Sequence, residues 1–406
     1  MSNSLYAAVS GLDAQQQWLD VVSQNIANVN TVAYKGSRVT FSQVMQETLR
    51  GASAPTATLG GINPEQIGAG GAVNVGSIDT NMSQGSITST GINTDLALQG
   101  NGFFIVSGPS GTSYTRAGNF YLDASGDLVN ASGQIVQGWV PNAQGVINPS
   151  PTNLTGISIV QGEAMPAKAT TSVTYAGNLN AADPSTTVLN VPVTAYDSLG
   201  NSQQVTVQLS PVAGTPDQWS VSYGGAQIGT LTFNSSGALT NQTVNPISLT
   251  LTDGAASPQQ VTLNFSQVTQ YSATDSIQAL SQNGYASGEL TGYTINPDGT
   301  ITGNFSNGET SVLGQIAVAA FTNQQGLINE GNNLWAQSSN SGQAQVGVAG
   351  QAGRGTIQDG ALEGSNVDLG TEFVNLIMAQ QGYQANAKVV TVSQLLLSTL
   401  TNMVQP

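Results

Sequence analysis

Two stripes of apolar residues, one at each end of the chain, recur at an interval of seven. Leu5, Leu12, Leu19 and Ile26 form the first, widened by Ala8, Val9, Val22 and Val29. Leu369, Leu376, Tyr383, Val390, Leu397 and Val404 form the second. That interval belongs to a coiled-coil seam, and it predicts a helix at each terminus. The first helix ends in the breaker-rich Asn28-Val29-Asn30-Thr31. In the second, Asp368 is placed to cap and Glu372 suits the positive end of the helix dipole. Gln380, Gln381 and Gly382 weaken its centre, since an interior glycine costs about 1 kcal/mol against alanine. Either stripe alone would leave a costly apolar strip in water. The seams are therefore expected to pair with each other and with neighbouring copies, poorly ordered alone and folding on assembly. Two ordinary amphipathic helices on a globular core are the plainer alternative.

Between about 165 and 284 the period changes to two. Leu189, Val191, Val193 and Ala195 alternate with polar neighbours, as do Val205, Val207 and Leu209. Trp219, Val221 and Tyr223 follow, then Leu231 with Phe233, then Ile247, Leu249 and Leu251, then Val261, Leu263 and Phe265. Six short runs separated by turn residues predict an antiparallel sandwich or barrel. Pro192 inside the first run suits an edge strand or a bulge. A small signature recurs at Leu122-Asp123…Gly126…Leu128, Phe233-Asn234…Gly237…Leu239 and Ile295-Asn296…Gly299…Ile301. Hairpin chemistry accounts for it: Asp or Asn opens the turn and Gly closes it at positive φ.

Composition narrows the chemistry. The 406 residues allow two to four domains at about 100–200 residues each. The 22 acidic residues face only 7 basic ones, a formal charge of −15. Phosphate neutralisation cannot supply binding energy to such a chain, so nucleic acid is not an expected partner, nor is an anionic membrane surface. His and Cys are both absent, which removes imidazole bases, thiolate nucleophiles and nitrogen or sulfur metal sites. No metal, cofactor or catalytic residue is expected. The Asp123–Asp127 loop lacks the ligand alternation of an EF-hand. The acid pairs Asp123 with Asp127 and Glu363 with Asp368 stand where a turn and a helix start have structural uses for carboxylates. With charged residues at 7%, surface polarity comes from Ser, Thr, Asn, Gln and Gly. Such a surface permits dense side-by-side packing and favours an extracellular, assembling protein. No apolar stretch approaches a membrane span, and the N-terminus lacks the pattern of a cleaved signal peptide.

The ends carry a resemblance. Ser10-Gly11-Leu12 and Asn25-Ile26-Ala27-Asn28 through Thr31…Tyr34-Lys35 resemble the N-terminal signature of the bacterial flagellar rod and hook proteins. Gly360-Ala361-Leu362-Glu363, Ser365-Asn366-Val367-Asp368 and Tyr383-Gln384-Ala385-Asn386-Ala387-Lys388 resemble that family's closing helix. Leu96-Ala97-Leu98…Gly100-Asn101-Gly102-Phe103-Phe104, Tyr114-Thr115-Arg116-Ala117-Gly118 and Glu330-Gly331-Asn332-Asn333-Leu334-Trp335 are similar to its inner β-domain.

The resemblance implies a mainly β chain with helical termini and nested, discontinuous domains. Residues 1–30 with 360–406 would pair as a coiled coil lining an inner tube, and 31–74 would be an extended connector. Residues 75–165 with 285–359 would form a β-rich shell, and the inserted 166–284 an outer barrel or sandwich. The size of that insertion points to the hook branch, whose subunits polymerise helically into a curved, flexible tube; the distal rod branch is the alternative. Implied partners are further copies of the chain, the distal rod protein, the hook cap, the hook–filament junction proteins and the flagellar type III export apparatus, with export leaving the N-terminus uncleaved.

Three departures stand out. Ala33 replaces the family's usual glycine, so left-handed backbone is not expected there. Gly382 replaces a usual arginine. The stretch from Thr48 to Gly71 is long, and is expected either to pack between subunits and stiffen the polymer or to be a solvated loop. Tyr34, Lys35, Arg38 and Arg50 on the connector are expected to meet neighbouring subunits, or merely to solvate it.

Overall fold

The computed structural model describes residues 2–43, 46–50, 65–68, 72–142 and 144–404. Most of the stretch from Thr48 to Gly71 lies outside them. Within it the backbone of Gln46–Arg50 pairs antiparallel with that of Glu65–Gly68. The chain divides into two compact units: Met1–Ile159 with Thr294–Thr302 and Val312–Pro406, and Val160–Tyr293 with Gly303–Ser311.

The first unit holds both helices, α1 (Ser2–Ala27) and α2 (Leu369–Val404). Asp368 caps α2 as expected: its Oδ1 accepts from the Gly370 amide at 2.8 Å and its carbonyl takes the Glu372 amide at 3.0 Å. Beyond α1 the chain does not simply extend. Ser37–Gln43 pairs antiparallel with Val73–Thr80, with a bulge between Thr40 and Phe41, and Phe41 meets Trp18 of α1 edge to face at 5.7 Å.

The β part of this unit is built on Phe103–Gly108. That strand forms a hairpin with Gly111–Thr115 and also pairs with Ile135–Trp139, and Phe103 and Phe104 face Ala319 and Val318. Leu334–Ala336 adds to the far side of Gly111–Thr115. Phe103, Ile105, Tyr114, Trp139, Phe321 and Trp335 fill the core, with Phe321 edge-on to both Phe103 and Tyr114. The last strands before α2 return to the start of the domain. Thr356–Asp359 pairs with Leu96–Gln99, and Ala361–Glu363 with Ile87–Ser89. The two ends of the chain therefore close one domain between them.

The second unit is the region of period two. Leu189–Tyr196, Ser202–Pro211, Gln218–Tyr223, Ala226–Phe233 and Leu239–Val244 form an antiparallel meander. Pro192 lies in its end strand, where the missing amide costs no ladder bond. The alternating residues point into one core around Trp219, Tyr175, Phe233 and Phe265, with Tyr175 stacked on Phe265 at 4.7 Å. The second sheet runs Ile247–Leu249, Gln259–Tyr271, Ser172–Asn180, Gln278–Gln282. It departs from the antiparallel expectation, because Ser172–Asn180 is parallel to Gln259–Tyr271. Those two strands are distant in sequence, so no hairpin constrains their direction.

Side-chain amides sew the sheets together. Gln242 donates to the Leu263 carbonyl and accepts from the Phe265 amide, both at 2.9 Å. At the other seam Gln259 Nε2 donates to the Thr170 and Tyr196 carbonyls at 2.7 and 2.9 Å. Both satisfy backbone groups that a simple ladder would leave unpaired.

Candidate assembly surface

The helices run antiparallel: Gly11 lies against Asn386, Gly382 against Gln15, and Asn25 donates to Glu372 at 3.1 Å. Among the described residues, those buried on α1 are Ala8, Gly11, Ala14, Val21, Val22 and Asn25, half of them glycine or alanine. On α2 the buried residue is Ala379, with Leu376, Gly382, Asn386 and Val390 half-buried. Small residues let two helix axes approach closely, and the bulkier stripe then flanks the contact. Leu5, Leu12, Leu19 and Ile26 are accordingly half-buried, while Leu369, Tyr383 and Leu397 are exposed. The side chain of Val404 lies outside the described residues.

What α1 leaves uncovered is large. Leu369, Phe373, Val374, Ile377, Met378, Tyr383, Val389, Val392, Leu395, Leu396, Leu397 and Leu400 are each between 39% and 64% exposed. A free monomer rarely presents so continuous an apolar surface. Gly382 does not break α2, which runs unbroken through it; the glycine sits where a Cβ would meet the end of the Gln15 side chain.

Below the helices, three distant segments meet on one carboxylate. Glu363 Oε1 accepts from Lys35 Nζ at 2.7 Å and from the Gly85 amide at 2.9 Å. Its Oε2 stands 3.2 Å from Arg116 Nε, an ionic contact without hydrogen-bond geometry. All three side chains are at most 5% exposed. Lys35 also donates to the Ser83 carbonyl, and Arg116 to the Gly100 and Gly102 carbonyls. Burial pushes the Lys35 ammonium below its ordinary value, with the charge and hydrogen bond of Glu363 opposing it and Arg116 adding to it. Burial also pushes Arg116 down, again opposed by Glu363.

Lys35 was expected on a connector, meeting a neighbouring copy or solvent. It is instead buried against its own chain, because Glu363 and Ser83 offer acceptors there. Arg38 remains mostly exposed and only 3.9 Å from Asp79, a distance worth little at a surface. Tyr34 donates to Asn25 at 3.3 Å, and burial followed by the charge of Glu372 raises its hydroxyl's pKa. The side chain of Arg50 lies outside the described residues.

Ala33 corrects a second expectation. Its φ is +56°, in the left-handed region, although it carries a Cβ. Its amide donates to the Glu363 carbonyl at 2.8 Å. That bond, with the convergence on Glu363, holds a conformation costing about 1–2 kcal/mol.

Asn25 and Asn366 do work that spacing could not reveal. Asn25, 1% exposed, bonds both the amide and the carbonyl of Ser37. Asn366 accepts from the Gly36 amide and donates to the Asn81 and Ser83 carbonyls. Both stand in motifs quoted above, which was their only signal. The acid pairs have structural employment: Asp123 Oδ1 accepts from the Ser125 and Asp127 amides, Glu363 holds two cations, and Asp368 caps α2. Among the described residues, no cluster of three acidic side chains is arranged to hold a metal ion, and no helix is long and apolar enough to cross a membrane.

Family models match at residues 5–35 (flagella basal body rod protein), 97–180 (flagellar hook protein FlgE/F/G D1 domain), 160–285 (flagellar basal body protein FlaE D2 domain) and 358–403 (flagellar basal body rod FlgEFG protein C-terminal). The flagellar hook protein FlgE of Borreliella burgdorferi is 38% identical over 99% of this chain and 100% of its own. That of Escherichia coli is 35% identical over 98% of each. In fold, the chain is similar to the crystal structure of Helicobacter pylori flagellar hook protein FlgE2, with a TM-score of 0.52 at 16% identity, covering 68% of this chain and 100% of that one.

Proposed function

Because the chain belongs to the flagellar hook protein family, we propose that its copies polymerise helically into the curved, flexible tube that carries torque from rod to filament. It is a structural subunit of the flagellar hook. The distal rod alternative is set aside, since relatives aligned over nearly the whole chain bear the hook protein's name.

The observation that carries the polymer is the uncovered apolar face of α2. A second copy is its natural cover. The paired termini, residues 1–30 with 360–406, would line the inner tube. Residues 75–165 with 285–359 would build the shell, and 166–284 would make the outermost contacts, sliding as the tube bends. Export without a cleaved signal, and contacts with the distal rod protein, hook cap, junction proteins and type III export apparatus, complete this reading by family resemblance.

The test is electron microscopy of basal bodies from the source bacterium with this gene deleted. Complete rods ending without a curved hook are expected. Truncated rods would transfer the chain to the distal rod and overturn the assignment.

A further inference from the structure

The charges on the two helices are few and lopsided. Helix α1 carries Asp13 and Asp20 and no cation; α2 carries Glu372 and one cation, Lys388. Asp13 and Asp20 are both exposed and seven positions apart, which puts them on one face of α1, roughly 10 Å apart along the axis. Lys388 is exposed on α2 and shares a helical face with Val392, Leu395 and Leu396, three of the most exposed apolar residues on that helix. Among the described residues, none of Lys388, Asp13 and Asp20 forms an ion pair within its own chain.

If the apolar face of α2 is covered by another copy, Lys388 goes under with it. An ammonium taken out of water without an anion costs several kcal/mol, so the covering surface must supply a carboxylate. The helices offer few. Asp368 is committed to the α2 cap, and Glu372 accepts from Asn25. That leaves the face of Asp13 and Asp20. We propose that Lys388 of one copy pairs with the Asp13–Asp20 face of α1 in a second copy, and that this ion pair sets the register in which neighbouring helical pairs pack. The inference rests on the polymer reading above and adds to it the groups that select one packing over its near-equivalents. An apolar stripe alone tolerates sliding, whereas one cation among apolar residues matches only where an acid meets it.

Charge reversal tests this at low salt, with the threshold concentration for polymer formation read by sedimentation and electron microscopy. Lys388→Glu is expected to raise the threshold by roughly tenfold or more, the scale of a like-charge clash at an interface. Its thermal unfolding as a free chain should match wild type, because the position is exposed. Asp13→Lys and Asp20→Lys are tested singly, and at least one should fail alone in the same way. Mixing that variant with Lys388→Glu should restore polymer. In an alternating array every contact is then Lys with Asp or Glu with Lys, an outcome no pairing within one chain could produce. An unchanged threshold for Lys388→Glu, or failure of both mixtures to polymerise, overturns the pairing. If wild type itself forms no polymer, the polymer reading falls first.

Discussion

At Glu363 one carboxylate answers two cations and a backbone amide, all out of water. The cluster is asymmetric, and that asymmetry makes a prediction. Glu363→Gln keeps the shape but leaves Lys35 and Arg116 buried without an anion, at a cost of about 3–5 kcal/mol. Lys35→Met removes one of two cations and leaves the Arg116–Glu363 contact standing, so its cost should be nearer the roughly 1–3 kcal/mol of an unsatisfied buried polar group. Urea unfolding of both variants decides it; a Glu363→Gln loss no greater than that of Lys35→Met would refute the account. None of this was legible from spacing, since Lys35 and Glu363 stand 328 positions apart. Ala33 was misread for a related reason. Its residue type disfavours positive φ, but the backbone there is set by a bond to Glu363, and long-range bonds leave no mark in a local pattern.

For whole elements the period of the apolar residues was informative, up to a point. Period two in the second unit identified the inward residues from Val191 to Phe265 because a strand offers only two faces. Strand direction is not encoded in that period, hence the unforeseen parallel pair. On α1 the heptad gave the helix, and its widened stripe included the buried Ala8 and Val22, but not Gly11, Ala14, Val21 and Asn25, which complete the buried edge. Two glycines separate the effects. A Cβ at Gly382 would come within 2.9 Å of Gln15 Cδ, but that longer side chain can swing its end aside, so Gly382→Ala should gain up to about 1 kcal/mol of helix propensity. A Cβ at Gly11 would come within 2.6 Å of Asn386 Nδ2 and 2.9 Å of its Cγ, so Gly11→Ala should weaken the pairing. Helix content against temperature measures both, and equal effects would show that the close approach is unimportant.

The Asp197 hairpin adds a pH dependence at the same scale. Burial opposes its charge, but the neighbouring Asp253 side chain and the amides of Asn201 and Leu199, which donate to its Oδ1, outweigh it and hold the carboxyl below its usual value. The unfolded chain therefore takes up the proton first as pH falls. This contribution is full above the unfolded value and lost as pH drops through the folded one. Calorimetry from pH 6 to pH 2.5 should show a steeper loss of stability in wild type than in Asp197→Asn; parallel curves would exclude the group.

For the molecule as a whole, the mismatch between the helices is the decisive feature. α2 has 36 residues and α1 has 26. The contacts of Gly11 with Asn386 and of Asn25 with Glu372 align the start of α2 with the end of α1. The surplus therefore falls at the other end, from about Leu395 onward, where Leu395, Leu396, Leu397 and Leu400 have no α1 residue opposite them. In a single chain the described residues of this extension, roughly 15 Å long, are all exposed. Removing residues 395–406 should leave the thermal unfolding of the free chain within about 0.5 kcal/mol of wild type, the range of exposed substitutions. In the polymer the same residues would lie against other copies, and four leucines moved from half-exposed to buried would contribute several kcal/mol at about 25 cal/mol per Å². The truncated chain should then fail to polymerise at concentrations where wild type does. A truncated chain that polymerises normally would place the assembly contact on the part of α2 before Leu395; one that unfolds early would show that the extension serves the monomer instead.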